Sequence, residues 1–198
     1  MKNRNFHNKS QIRVLPTAFL FLALFLLIFP LRWLLAALLS ALIHELCHVS
    51  MIHSLGLQIY SVSFGPWGAK IQTEPMTPFQ EFLCALAGPV GALCLVLTAK
   101  WFPRVAICAA FQSVYNLLPI YPNDGGRALR CLMQLLLPQK LAFMLCDAIE
   151  CSVLLVLAFI GLYGTFRLHL GLLPLLISWI LIIKTRKIPC KQEEHKVQ

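Results

Sequence analysis

Charged residues are scarce in this chain. Only 13% of its 198 residues are Asp, Glu, Lys or Arg, whereas 59% are hydrophobic. An ordinary soluble domain carries about 25% charged residues. The composition therefore excludes a typical soluble globular protein. The length predicts one integral-membrane domain that covers residues 1–198.

Acidic residues are scarcer than basic ones, with eight Asp and Glu against 17 Lys and Arg and a net charge of +9. A positive balance of this size can serve nucleic-acid binding, but no basic face is interleaved with aromatic residues here. The basic residues instead cluster before the first apolar run and after the last. Such clusters mark cytoplasmic ends of membrane proteins. We therefore expect a lipid bilayer and no nucleic acid as partner.

Cysteine pairs of the C-x-x-C type are missing, although the chain has eight cysteines. Most of the cysteines lie in apolar runs, where a free cysteine behaves as a small apolar residue. This distribution excludes a thiolate zinc site and gives no sign of a disulfide framework.

Long apolar runs are what the sequence does contain. A helix needs about 20 apolar residues to cross a bilayer core of about 30 Å. Six runs approach this length between Pro and Gly breaks, and they cover residues 14–31, 34–55, 79–100, 104–120, 141–163 and 169–184. A further short helix is predicted at 126–137. With both termini in the cytoplasm, 13 of the 17 Lys and Arg lie on the cytoplasmic side.

The predicted fold is therefore an all-α polytopic membrane protein with about six transmembrane helices. Its core covers 34–140, and the other helices flank this core. One segment departs from helical periodicity, because residues 57–73 alternate polar and apolar side chains around a Gly-Pro-Trp-Gly turn. A bare strand edge cannot face lipid, so we expect a short membrane-associated β-hairpin.

This hairpin has two interpretations. It is either an interfacial loop or an edge that pairs with an extended substrate peptide. In the second interpretation the pairing residues are Ser61, Val62, Ser63 and Phe64.

Ionisable residues gather at the end of the second run, in His44-Glu45-Leu46-Cys47-His48. Residues four apart share one face of a helix. Two imidazoles can therefore bind one zinc ion while Glu45 takes a proton from a zinc-bound water, whose pKa is lowered to about 7. The alternative is a buried histidine pair with a satisfied carboxylate, which is costly in a membrane. A catalytic zinc needs a third protein ligand.

Candidates for that ligand are few, because the chain has only two aspartates, Asp124 and Asp147. Asp124 follows two prolines that break a helix, and it precedes Gly125-Gly126, which let the backbone turn closely. A broken helix at membrane depth is tolerated where it lines a cavity. The predicted topology puts this break at the depth of the histidines. We therefore predict His44, His48 and Asp124 as ligands of one Zn2+ per chain.

Other polar residues have more than one interpretation on sequence alone. Asn116 could orient substrate or stabilise an oxyanion, or it could simply form a hydrogen bond between helices. Asp147 and Glu150 begin the fifth run, where negative charge is favoured by the helix dipole. His53 and Arg127 are expected to face solvent.

Four stretches resemble the site-2 protease family of intramembrane zinc metalloproteases, namely HELCH, SVSFGPWGAK, CALAGPVGA and NLLPIYPNDGG. The resemblance implies two histidine ligands and a catalytic glutamate in the first stretch. It implies an aspartate ligand with an upstream asparagine in the last. It also implies a membrane-associated hairpin and tight packing of the Ala-Gly-Pro segment around the site.

The chain is most similar to the stage IV sporulation protease branch, but without a CBS domain or a PDZ-like insertion. Asn123 stands where the family commonly has an apolar residue. Gly91 and Ala92 stand where the family often has a polar one.

The function implied is a zinc-dependent intramembrane endopeptidase with Glu45 as general base and then proton donor. Its substrate would be a membrane-embedded or membrane-associated protein, such as a sigma-factor precursor or an anti-sigma protein. The expected location is a bacterial cytoplasmic membrane, with both termini and the active site toward the cytoplasm. A regulatory membrane partner of unknown identity is compatible with this interpretation.

Two other functions stay open. A prenyl-protein-type membrane metallopeptidase would use a glutamate as third ligand, and Glu150 is the remaining intramembrane candidate. A zinc-binding but non-proteolytic membrane sensor or scaffold would not need the acid–base function of Glu45.

Overall fold

A computed structural model of the chain describes residues 11–65, 68–167 and 179. This part is mostly helical, as the sequence predicts. Contacts divide the chain into two compact units, Met1–Asn116 and Leu117–Gln198. The interpretation of residues 1–198 as one domain stays a prediction.

The described residues of the first unit form a small sheet and four α-helices. In chain order its elements are β1 (Gln11–Val14), α1 (Pro16–Ile28), α2 (Leu31–Ser54), β2 (Ile59–Gly65), β3 (Gly68–Thr73), α3 (Pro78–Cys94), the 3-10 turn η1 (Leu95–Thr98) and α4 (Pro103–Leu117). The start of α3 shows why these boundaries form. Thr77 and Gln80 make a reciprocal capping box, and Pro78 takes the first helical position, where its missing N–H is not needed.

Buried serines join the helices of the first unit. The Ser40 hydroxyl on α2 donates to the Gln112 side-chain oxygen on α4 at 2.7 Å. The Ser113 hydroxyl on α4 donates to the Pro89 carbonyl on α3 at 3.1 Å. Both serines are fully buried. Short polar side chains of this kind hold helices together where lipid offers no hydrogen bonds.

The predicted β-hairpin is confirmed as the antiparallel pair β2 and β3. A third strand, β1, pairs in parallel with the other side of β2, which gives the order β1-β2-β3. Its register places residues 11–14 opposite Ser61, Val62, Ser63 and Phe64. These are the residues predicted to pair with substrate. Both sides of β2 are therefore occupied, and another strand could pair there in the sheet only by displacing β1 or β3.

The second unit contains α5 (Asp124–Leu136) and α6 (Gln139–Phe166), which pack against each other. Helices predicted at 126–137 and 141–163 are thus present as α5 and α6, with ends that differ from the prediction by one to three residues. A methyl group on Gly125 or Gly126 would overlap the backbone of residues 117–121. The double glycine therefore lets α5 start directly against the turn that precedes it.

Three helices in the described part of the chain are long and apolar enough to cross a bilayer: α2, α3 extended by η1, and α6. These helices indicate that the chain is an integral membrane protein. Helices α1 and α4 have only 13 and 15 residues, which is less than the roughly 20 that a crossing needs. The run predicted at 169–184 lies outside the described residues, apart from position 179. Six spans are therefore not confirmed.

Candidate metal centre

The two histidines of the HELCH sequence meet on one face of α2. Both side chains are buried, and their Nε2 atoms lie 3.2 Å apart. The rings are nearly perpendicular, with an angle of 82° between their planes. Residues at i and i+4 stack along a helix, as the spacing predicts. The pair thus directs two nitrogen atoms toward a common point.

The other nitrogen of His48 is held by the backbone of α3. Its Nδ1 lies 2.7 Å from the Cys84 carbonyl oxygen. A carbonyl can only accept, so Nδ1 carries the proton and donates. The lone pair of His48 is then on Nε2. This is the tautomer that a metal ligand needs, fixed by the hydrogen bond that commonly supports such ligands.

Gly88 lets α3 approach His48 this closely. A methyl group at this position would overlap the His48 imidazole. One turn further along α3, a methyl group on Gly91 would overlap the Cys47 side chain instead. The Ala-Gly-Pro segment therefore packs directly against a predicted ligand, as the family resemblance implies.

Glu45 lies near Gly68, the first residue of β3. Its carboxylate is half-buried, and a Cβ built on Gly68 would lie 3.7 Å from Glu45 Oε1. Gly68 has a φ of 114°, a conformation that side chains disfavour. The first residue of β3 can therefore approach the carboxylate predicted to act as the base.

Asn116 lies near the same histidine pair, close to the end of α4. Its Nδ2 is 3.4 Å from His44 Nε2, at the long limit of a hydrogen bond. The structure thus brings Asn116 to His44, although the residues are far apart in sequence. Its role in orienting substrate or stabilising an oxyanion stays a prediction.

Asp124, the predicted third ligand, is the first residue of α5 in the second unit. Its side chain is half-buried, and the preceding Asn123 is buried. The main-chain N–H of Asn123 donates to the Ile120 carbonyl at 2.9 Å, and that of Arg127 donates to the Asn123 carbonyl at 3.0 Å. The residue therefore sits at a well-anchored helix start.

Glu150, the ligand of the alternative peptidase, is engaged elsewhere. Its Oε2 lies 3.2 Å from Arg130 Nη2, and the side chain is only 14% exposed. Asp147 also contacts Arg130, at 3.3 Å, but is 66% exposed. A carboxylate held by a guanidinium is a poor candidate for a metal ligand. His53 is exposed as expected, whereas Arg127 is half-buried.

Two of these contacts were not predicted from the sequence. They are the hydrogen bond from His48 to the Cys84 carbonyl and the ion pairs of Arg130 with α6. The Cys84 contact is made by backbone, which no side-chain pattern reports. The sequence gives a weak indication of the Arg130 ion pairs, since a charged residue within an apolar membrane protein generally has a partner.

Comparison with known proteins shows a likeness at the level of fold. The chain shares its fold with a solved site-2 protease. It is similar to the solved Site-2 Protease from Methanocaldococcus jannaschii, with a TM-score of 0.61 and 20% identity over 90% of this chain and 92% of that chain. No protein-family model and no curated protein sequence matches the chain.

Proposed function

We propose that this protein is a zinc-dependent intramembrane endopeptidase that cleaves a membrane-embedded or membrane-associated protein. The observation that carries the proposal is the buried His44–His48 pair, with Nε2 atoms 3.2 Å apart on a helix apolar enough to cross a bilayer. Glu45 lies next to the first histidine in sequence. The site-2 protease fold supports a protease of this class.

The donor set fits a zinc ion. His44, His48 and Asp124 each offer one ligand atom, and as a group they could hold a metal ion. Two imidazole nitrogens and one carboxylate oxygen are ligands that zinc accepts, with a fourth position left open for catalysis. The hydrogen bond from His48 Nδ1 to Cys84 leaves the correct nitrogen for the metal. We therefore propose one Zn2+ per chain.

Zinc, when bound, would supply a Lewis acid that lowers the pKa of a coordinated water to about 7. Glu45 would take a proton from the attacking water and then give a proton to the leaving amine as the peptide bond breaks. Asn116, whose Nδ2 lies 3.4 Å from His44 Nε2, would donate a hydrogen bond to the carbonyl oxygen as negative charge develops there.

The substrate must be extended where it is cleaved, since the carbonyls of a helical segment are engaged in helical hydrogen bonds. A strand can hold an extended segment by main-chain pairing. Because β1 and β3 flank β2, we propose that substrate pairs with the outer edge of β3. Strand β3 starts at Gly68, beside Glu45. In this arrangement β3 would be held in the sheet by its pairing with β2, which includes Ser61, Val62, Ser63 and Phe64.

The family resemblance implies a location and a substrate class, which belong to the same proposal. We propose a bacterial cytoplasmic membrane, with both termini and the active site toward the cytoplasm. A sigma-factor precursor or an anti-sigma protein is the substrate class we propose, together with a regulatory membrane partner. The basic clusters at both ends of the sequence support this orientation.

The Glu45→Gln variant tests the proposed chemistry. It keeps the shape of the side chain but loses the base, so cleavage of a model membrane substrate should fall at least ~100-fold, in line with general acid–base catalysis. Zinc content, measured by mass spectrometry, should stay at the wild-type level. Removal of zinc by a chelator should abolish wild-type cleavage, and added zinc should restore it.

The alternative function, a non-proteolytic sensor or scaffold, would give a different result. In that case Glu45→Gln would leave the cellular phenotype of the wild type unchanged, and purified wild type would not cleave any membrane substrate. The same pair of measurements therefore separates the two functions.

A further inference from the structure

We propose that Arg130 is a positioning residue that holds the turn before Asp124 against α5 and α6, and so fixes the direction of the Asp124 carboxylate. This inference rests on the proposed function, in which Asp124 is a zinc ligand. It assigns a purpose to a charged group that lies outside the predicted ligand set.

Arg130 connects three parts of the second unit. Its guanidinium carbon lies 4.4 Å above the centre of the Tyr121 ring, in the turn that precedes α5. On the other side, its Nη2 lies 3.2 Å from Glu150 and 3.3 Å from Asp147, both on α6. The Arg130 side chain is only 13% exposed. One buried cation thus joins the turn, α5 and α6.

Glu150 connects Arg130 to α6. Its carboxylate accepts a hydrogen bond from Arg130 Nη2 at 3.2 Å, while the same guanidinium lies over the Tyr121 ring. Tyr121 is therefore attached to α6 through Arg130. Because Tyr121 lies three residues before Asp124, a movement of this turn would be transmitted to the start of α5.

The turn has little room to move in other directions. Methyl groups on Gly125 and Gly126 would overlap the backbone of residues 117–121, so the turn already packs against the helix start. Ile120 is fully buried at the same place. Without Arg130, the turn would keep this packing but lose its attachment to α6.

The chemistry of arginine suits this position. A guanidinium can stack on an aromatic face and donate to carboxylates at the same time, which a lysine ammonium does less well. The Glu150 contact is the important one, because Glu150 is shielded from water, whereas an exposed ion pair such as that with Asp147 contributes little. Residues that support metal ligands from behind typically change metal affinity by ~10–100-fold when mutated.

The test is the zinc dissociation constant of variants in detergent, measured by competition with a zinc chelator, so that no activity is required. Arg130→Met should weaken zinc binding by ~10–100-fold, and Arg130→Lys should weaken it less. Tyr121→Leu should act in the same direction as Arg130→Met, whereas Tyr121→Phe should bind zinc like the wild type. Asp147→Asn is the matched control and should stay within ~2-fold, because its ion pair is exposed.

A double variant separates positioning from the cost of an unpaired charge. Arg130→Met leaves Glu150 buried without its cation, whereas Arg130→Met/Glu150→Met removes both charges. If the ion pair positions the turn, zinc affinity should stay weak in the double variant, because the turn is still detached from α6. Recovery of wild-type zinc affinity in the double variant would overturn the inference. Melting temperatures of the apo proteins would identify any variant that fails to fold.

Failure of this inference can be told apart from failure of the proposed function. If Asp124→Ala loses zinc but Arg130→Met and Tyr121→Leu bind it like the wild type, Arg130 does not position the ligand and the proposed function stands. If Asp124→Ala keeps full zinc affinity, the proposed ligand set itself is wrong.

Discussion

At the scale of single residues, the state of His48 depends on a backbone atom of another helix. The Cys84 carbonyl holds the Nδ1 proton and leaves Nε2 for a metal. Gly88 is the residue that permits this contact, since any side chain there would occupy the volume of the imidazole. The affinity of the site for zinc should therefore depend on a residue that offers no ligand atom.

Gly88→Ala tests this dependence. The added methyl group should push the His48 ring away from its position and raise the zinc dissociation constant by ~10-fold or more, the range seen when the support of a ligand is disturbed. Chelator competition on purified protein measures this change.

Gly91→Ala provides the control for general damage to helix packing. Its methyl group overlaps Cys47, which is not a ligand, on the same pair of helices. We expect Gly91→Ala to lower thermal stability while it changes zinc affinity much less than Gly88→Ala does. Equal loss of zinc affinity in the two variants would contradict a specific role for Gly88.

The local part of this geometry could be predicted from sequence. The spacing of His44 and His48 fixes their common face, because helix periodicity is a local property. The contact of Asn116 with His44 and that of Arg130 with Glu150 join residues far apart in sequence. Contacts of this kind depend on how helices pack, which no local pattern encodes.

At the scale of elements, the sheet differs from the hairpin that the sequence predicts. Strand β1 has only four residues, which is too few to show a clear alternation. It also lies in a segment interpreted as a basic tail. The helices were predicted more closely because long apolar runs with proline breaks are strong signals. Because the sheet has three strands, the edge at which it pairs with substrate has to be identified anew.

Photo-cross-linking can identify the edge that substrate uses. A photoreactive residue in place of Lys70 on β3 should capture a membrane substrate in the Glu45→Gln background, which slows cleavage. The same residue in place of Gln11 on β1 should capture much less. We expect this difference because β3 begins beside Glu45.

A stronger cross-link from position 11 would contradict pairing at β3 and would place the substrate on the β1 side of the sheet. Zinc content should be unchanged in both cross-linking variants, because neither position contributes a ligand.

At the scale of the whole molecule, the described helices give three candidate spans rather than six. Composition predicts the membrane class well, since few charges and long apolar runs leave no soluble alternative. It predicts the number of spans less well, because α1 and α4 are apolar but short. Hydropathy alone does not report where a helix ends.

The orientation of the chain gives a prediction at this scale. Reporter domains fused to the N-terminus and to the C-terminus should both be accessible only from the cytoplasm, because the basic clusters at the two ends favour that side. A C-terminal reporter on the opposite side would mean an odd number of spans and would contradict the predicted topology.

The central claim is that His44, His48 and Asp124 bind a single zinc ion. Its most direct test is the zinc content of purified Asp124→Ala compared with Asp147→Ala, which removes the other aspartate of the chain. We predict about one zinc per chain in the wild type and in Asp147→Ala, as expected for a single catalytic site, and almost none in Asp124→Ala. An Asp124→Ala protein that retains about one zinc per chain, bound as tightly as in the wild type, would contradict the account.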